Sequence, residues 1–171
     1  FHTLRTHHDT SIISRHTLEE LKERTQHRPI TTLREVLDLF FGKILLNIEL
    51  KGRGAGRVAL EMIEKDYIKK KSDWDNVLFS SFRGGELTAI RKNSDRANLA
   101  LLHAENPFIF IAYHRKLQLT AVGFHRLYVN RLALAIAKKA NIFVYAYTVN
   151  RPQSAKILAQ QGIDAIVTDH P

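Results

Sequence analysis

From residue 44 to Pro171, short apolar runs alternate with longer segments of helical character, and this alternation narrows the fold more than any other property of the chain. The runs at 44–50, 77–81, 99–103, 121–124, 142–149 and 163–168 are apolar along most of their length, as strands buried on both faces are. Between them, 57–71 predicts a helix with Val58, Met62, Ile63 and Tyr67 near one face. Lys69-Lys70-Lys71 would close it, where cations complement the helix dipole. A further helix is expected around 85–92. Asn130 is placed to cap a helix over 131–140 that Asn141 stops, and Asn150 to cap one over 152–161 that ends at Gly162. The segment 104–119 reads as a loop containing an apolar run at 108–112. Upstream, Thr17-Leu-Glu-Glu20 and Thr32-Leu-Arg-Glu35 carry the capping-box pattern of two helix starts.

Apolar strands separated by crossover helices imply a parallel sheet covered by helices, an α/β fold. An open doubly wound sheet and a closed eight-stranded barrel both satisfy the pattern. No Gly-x-Gly-x-x-Gly follows a first strand, which weighs against dinucleotide binding. Glu49, Lys51, Ser80, Ser81, His103, His125, Asn150 and Asp169 all fall at or just beyond the C-terminal ends of strands. That is the face on which barrels of this kind carry their active sites, so a TIM-type (β/α)8 barrel is the expected architecture.

At 171 residues and 44% hydrophobic, the chain is expected to form one domain with a substantial core. No run reaches the roughly 18 apolar residues of a membrane span. With no cysteine, disulfides and thiolate metal sites are excluded; this is compatible with a cytoplasmic location, which is the one expected. The net charge of +9 attracts anions generally, but no recognisable RNA- or DNA-binding module accompanies it, so nucleic acid is not an expected partner. Any resident cation must take oxygen or imidazole ligands, and oxygen favours Mg2+, Ca2+ or Mn2+.

The sharpest chemical signal is Leu45-Leu-Asn-Ile-Glu-Leu-Lys51. Side chains alternate along a strand, so Glu49 and Lys51 share a face. A carboxylate there suits a divalent cation, and an ammonium beside it suits a phosphate oxygen bound to that cation. The bland alternative is a salt bridge at a strand end. Four further motifs stand in order around it: His7-His8-Asp9-Thr10, then Ser80-Ser81-Phe82, Tyr147-Thr148-Val149-Asn150 and Thr168-Asp169-His170-Pro171. Together the five resemble the glycerophosphodiester phosphodiesterase family, whose members carry His-Asp, Glu-x-Lys, Ser-Ser-Phe, Trp-Thr-Val-Asn and Thr-Asp-x-Pro in that order and at similar spacing. The resemblance covers essentially the whole chain.

The resemblance implies a barrel hydrolase that converts glycerophosphodiesters to sn-glycerol 3-phosphate and an alcohol with the help of a divalent cation, Mg2+ or Ca2+. It implies a cyclic route, in which the neighbouring glycerol hydroxyl attacks phosphorus and water opens the resulting cyclic phosphate. It casts His8 as the acid that protonates the departing alcohol, with Asp9 orienting it, Glu49 as a metal ligand, and Lys51 as the cation that neutralises charge on the phosphoryl oxygens. Phe82 and Tyr147, the latter at the family's tryptophan position, would bind substrate. His103 and His125 end predicted strands and could also face the site. The family's His-Arg-Gly is not found in the sequence and no Glu-x-Asp stands ahead of His8, where the family carries it, and six strands are counted where a barrel has eight. The expectation is therefore a single catalytic barrel domain over 1–171, with two strands before residue 1 and a final helix after Pro171. A non-catalytic barrel of the same ancestry, serving as a binding or scaffold domain, is the alternative.

Overall fold

The computed structural model describes residues 12–103 and 105–171. It divides into two compact units, the first running to Leu46 and the second spanning Asn47–Pro171. In the first, helices α1 (Leu18–Arg24) and α2 (Leu33–Phe40) both begin with the expected capping box. Thr17 Oγ1 accepts from Glu20 N at 3.2 Å while Glu20 Oε2 accepts from Thr17 N at 2.8 Å. Thr32 and Glu35 repeat the exchange at 3.3 and 2.6 Å. Each box satisfies amide donors that a helix start otherwise leaves orphaned.

The second unit is built on a sheet whose strands are adjacent in sequence order: β1 (Leu46–Glu49), β2 (Val77–Ser81), β3 (Asn98–His103), β4 (Ala121–His125), β5 (Phe143–Tyr147) and β6 (Ala165–Ile166). The pairings from β2 to β6 are all parallel. Every expected strand is present. The connecting helices are α3 (Ala55–Asp66), α4 (Gly84–Asn93), α5 (Ile109–Leu117), α6 (Arg131–Lys139) and α7 (Pro152–Gln161). Sequential parallel strands with right-handed crossovers put all helices on one face and leave the other for an interior, the arrangement of a (β/α)8 barrel.

The two faces differ in what fills them. Val77, Phe79, Leu99, Val122, Phe124 and Val144 are completely or almost completely buried, as are Leu60, Ile63, Leu87, Ile90, Phe110 and Ala137 from the helices. The alternate strand positions form an inner cluster of Leu78, Ala100, Leu102, Ala121 and Tyr145, with Tyr147 and Ala165 packed against it. Gly123 sits on that inner face, in register with Leu102 and Tyr145. A Cβ there would stand 2.5 Å from Leu102 Cδ2 and 2.8 Å from the Tyr145 ring, so only glycine lets the ring lie across β4.

Four local expectations are corrected. The helix expected over 57–71 ends at Asp66, because Asp73 Oδ2 accepts from both Lys69 N and Lys70 N and draws the chain into a 3-10 turn at Lys71–Asn76. Lys69 to Lys71 therefore lie beyond the helix. Its buried face is Gly56, Ala59, Leu60 and Ile63, while Val58 is exposed. The segment read as a loop over 104–119 contains α5, which stops where Gln118 turns to φ 49°. Asn150 does not cap α7: its Oδ1 accepts from Asp169 N at 3.0 Å and Thr168 Oγ1 at 3.2 Å, tying the chain after β5 to the chain after β6. Asn130, by contrast, caps α6 as expected, accepting from Leu132 N and Ala133 N.

Candidate active site

Along β1, half-buried Leu46 and Ile48 alternate with exposed Asn47 and Glu49, which places the last two on the inner face. Lys51 follows one residue beyond, its Nζ 3.3 Å from Glu49 Oε2. The shared face read from the spacing is thus realised as an ion pair. Its side chains remain 48% and 35% exposed, and an exposed pair contributes at most about 1 kcal/mol. Stability is no sufficient reason for the pair to be there.

What fixes the strand end is buried. Leu50 N donates to Ser80 O at 2.7 Å, and Ser81 Oγ donates to Leu50 O at 2.6 Å while accepting from Arg83 N at 2.9 Å. Ser81 is therefore a clamp between the ends of β1 and β2. Beyond Lys51 the chain turns through Gly54 at φ 75°, and the carboxylate of Glu86 receives Gly54 N at 3.0 Å and Gly56 N at 2.9 Å. Glu86 is 8% exposed and belongs to α4, yet it caps α3. This residue escaped the sequence reading. The available signal was the run Gly52-Arg-Gly-Ala-Gly56, a helix start with no capping side chain of its own.

On β5 the inner positions are Tyr145 and Tyr147. Burial is the main cause raising the pKa of both phenols, Tyr147 to about 12, and the nearby Glu49 carboxylate adds to it. Ser80 and Asn47 approach the Tyr145 hydroxyl closely enough to oppose that rise, although Ser80 Oγ and the phenol stop short of full hydrogen-bond geometry. The carboxylate of β1 therefore shares the interior with the tyrosines of β5. The Tyr147 hydroxyl donates to His103 O at 2.8 Å. Its ring meets Phe82 edge-on at 5.7 Å and His125 at 5.9 Å. Phe82 itself is half exposed.

The structure thus brings together Glu49, Lys51, Phe82 and Tyr147 at the C-terminal ends of the strands, with His125 beside Tyr147. His8 and Asp9 lie outside the described residues. His103 does not face the interior. It pairs in register with Phe124 on the helix-covered side, where its ring packs edge-on to Phe124 at 4.8 Å, and only its carbonyl reaches Tyr147. Among the described residues, no three His, Asp or Glu side chains converge as a metal cluster. Glu49 supplies one hard oxygen donor, of the kind Mg2+ and Ca2+ take, and fits as one arm of a cation site. No helix among the described residues is long and apolar enough to cross a membrane.

Known proteins with this arrangement agree on one family. A glycerophosphodiester phosphodiesterase of Caldanaerobacter subterraneus is 28% identical over 98% of the chain and 73% of its own length. Among solved structures, an Oleispira antarctica phosphodiesterase in complex with the product sn-glycerol-3-phosphate superposes with a TM-score of 0.84 at 23% identity, covering 98% of this chain and 72% of that one. The Thermotoga maritima glycerophosphodiester phosphodiesterase gives 0.76 at 24%, with the same coverage. The profile of the glycerophosphoryl diester phosphodiesterase family matches residues 1–171 throughout, and the chain belongs to that family.

Proposed function

We propose that the protein hydrolyses glycerophosphodiesters to sn-glycerol 3-phosphate and an alcohol, the activity for which its family is named. The observation that carries the reading is the Glu49–Lys51 pair, held open to solvent at the mouth of the barrel by buried contacts that do not involve either charge.

In the reaction, the Lys51 ammonium meets the phosphoryl oxygens and stabilises the charge that accumulates on them as phosphorus becomes five-coordinate. Glu49, 3.3 Å away, stands beside that ammonium and offers an oxygen to a cation. A divalent cation, when bound, would withdraw charge from the diester, with Glu49 as one of its oxygen ligands. Phe82 and Tyr147, edge-on to each other, form an apolar wall against which the glycerol carbons rest. The Tyr147 phenol stays protonated at neutral pH and is committed to His103 O, so it shapes the wall rather than moving protons. His8 serves as the general acid: as the neighbouring glycerol hydroxyl gives up its proton to water and forms its bond to phosphorus, the bond from phosphorus to the alcohol oxygen breaks and that oxygen takes the imidazolium proton, and water then opens the cyclic phosphate to glycerol 3-phosphate. An imidazole suits this because its pKa lies near working pH.

The test is release of glycerol 3-phosphate from glycerophosphodiesters with Mg2+ or Ca2+ present, and again after chelation. We expect release that chelation abolishes and the cation restores. Undiminished turnover after thorough chelation would refute the cation requirement, and no release under any condition would refute the activity.

A further inference from the structure

We propose that the mouth of the barrel docks on an anionic phospholipid surface. The apolar rim on the loops after β2, β3 and β4 enters the interface, and the cleft between Arg126 and Arg151 takes a lipid phosphate. This goes beyond the phosphodiesterase reading and does not depend on it.

Exposed apolar side chains are not spread evenly over the second unit. Phe82 opens the loop after β2, and Phe108 and Ile109 stand where the loop after β3 enters α5. Leu127 and Tyr128 lie in the 3-10 turn after β4, and Leu132 in the first turn of α6. All six are exposed, Leu127 at 74% and Leu132 at 61%. At the other end of the barrel, the turns 67–76, 94–97, 118–120, 140–142 and 162–164 expose no large apolar side chain among the described residues, although Phe143, the first residue of β5, is exposed there. Single exposed apolar residues are ordinary on a protein surface, but a continuous patch marks an interaction site. Here the patch is continuous. Strands β2, β3 and β4 are neighbours, and Phe82 and Ile109 line one cavity of about 270 Å3. From Phe82 the ring contacts pass to Tyr147 at 5.7 Å, to His125 at 5.9 Å and to Tyr128 at 5.7 Å.

Charge identifies what covers the patch. The loops after β2 to β5, with the start of α6, carry Arg83, Arg126, Arg131 and Arg151 against one carboxylate, Glu105. Leu127 also lines a second cavity, of about 340 Å3, together with Arg126, Arg151, Thr148, Asn150 and Ser154. Arg126 Nη1 donates to Thr148 O at 2.9 Å, which sets the guanidinium at the cleft with its remaining N–H donors left for a phosphate. Asp169, on the next loop, is tied to Asn150 Nδ2 at 3.0 Å. At about 30 Å3 for each water molecule, the cleft has room for a glycerophosphate head group. Apolar side chains beside guanidiniums suit a membrane interface, where the first enter the acyl boundary while the second meet anionic head groups. The rim residues stand on separate loop tips, which a deformable lipid surface accommodates and a rigid partner would have to match one by one.

The experiment is flotation of the full chain, without substrate, with vesicles of phosphatidylcholine alone and of phosphatidylcholine and phosphatidylglycerol in equal parts. The chain should float with the mixed vesicles and not with phosphatidylcholine alone. Raising salt from about 0.1 M to about 1 M, which shortens the screening length from about 10 Å to about 3 Å, should weaken attachment at least tenfold. The double variant Leu127→Ser, Leu132→Ser should also weaken it at least tenfold, because it removes apolar area that would leave water. Arg151→Glu should weaken it about tenfold, and Lys139→Glu, the same charge change at the far end of α6, by less than about threefold. All four side chains are exposed, so the fold is not at stake, and thermal melts check this. Flotation with neither vesicle, or equally with both, would overturn the proposal, and this wild-type comparison decides even where a variant fails to fold. A Lys139→Glu loss equal to that of Arg151→Glu would overturn it too, leaving attraction by net charge only. Attachment that ignores the leucines and is displaced by inorganic phosphate would overturn it in favour of a soluble-anion site. Release of glycerol 3-phosphate tests the phosphodiesterase reading separately, so the two can fail independently.

Discussion

Two carboxylates in α3 and its surroundings accept hydrogen bonds of nearly equal length, and burial predicts that they differ sharply in worth. Glu86 takes Gly56 N at 2.9 Å and Gly54 N at 3.0 Å from a position only 8% exposed. Glu61 takes Arg57 Nη1 at 2.8 Å, but those side chains are 60% and 63% exposed. Replacing Glu86 by Ala strands the buried Gly56 amide, at about 1–3 kcal/mol for an unmet buried donor. It also removes a charge-assisted bond to Gly54, which water can partly replace, and a negative charge at a helix N-terminus worth about 0.3–1 kcal/mol. The sum is about 2–4 kcal/mol. Glu86→Gln keeps one acceptor oxygen and should cost about half as much. Glu61→Ala should cost less than about 0.5 kcal/mol, since an exposed i,i+4 pair contributes about 0.3–0.5 kcal/mol.

The assay is urea unfolding at neutral pH, followed by the fluorescence of the single tryptophan, Trp74, which is buried in the 3-10 turn before β2. The midpoint shift converts to free energy at constant slope. Because the capped turn carries the residues that follow Lys51, Glu86→Ala should also lower kcat/KM. A Glu86→Ala midpoint within error of Glu61→Ala would refute the reasoning, showing that the two glycine amides find other partners.

Three further outcomes are expected. His8→Ala should depress turnover by roughly two to four orders of magnitude, the scale of general acid–base assistance, and the loss should shrink for substrates with a good leaving group; an equal loss on both substrate types would argue against an acid role. Gly123→Ala should destabilise by about 1–3 kcal/mol in a thermal melt, since the new methyl meets the Tyr145 ring as well as the end of Leu102; an unshifted melt would refute the close packing of Tyr145. The folded His103 imidazole titrates at about 4, below its unfolded value of about 6.5, so the unfolded chain holds the extra proton between those values. The stability this contributes is present above pH 6.5 and is lost as pH falls toward 4, with a slope of at most about 1.4 kcal/mol per pH unit. Urea melts at stepped pH should show that slope in wild type and not in His103→Leu.

The central strands were legible because both their faces are buried. A run such as Val77-Leu-Phe-Ser-Ser81 has no charged position to confuse its limits, and all five residues are buried. The same property hid which face was which. Parity along β3 groups Ala100 with Leu102 and sets His103 apart, but nothing in five buried residues of mixed size marks the helix side, so the place of His103 in the chain points only to the mouth. Helix α5 was obscured for a related reason. Phe108-Ile-Phe-Ile-Ala-Tyr113 is apolar at nearly every position, and its 3.6-residue period appears only once Phe110 and Leu117 are known to be buried. Asn150 and the lysines at 69–71 illustrate a different limit. Each had a plausible local role, and each was claimed by Asp169 or Asp73, partners that a local pattern does not weigh.

The site shows how a weakly interacting pair acquires a definite geometry. Glu49 and Lys51 attract each other through water-exposed side chains, and that attraction is too small to hold two long side chains in place. Their backbone is held instead. Leu50 between them is buried and bonded twice to β2, through Ser80 O and Ser81 Oγ, while Glu86 anchors the turn a few residues on. On the opposite side of the interior, Ala100, Ala121 and Gly123 are small enough for the tyrosines of β5 to lean across the sheet toward Glu49. Polar residues at the mouth named the chemistry in the sequence. Residues that never touch substrate (a buried serine, a buried glutamate and an inner-face glycine) decide where that chemistry stands.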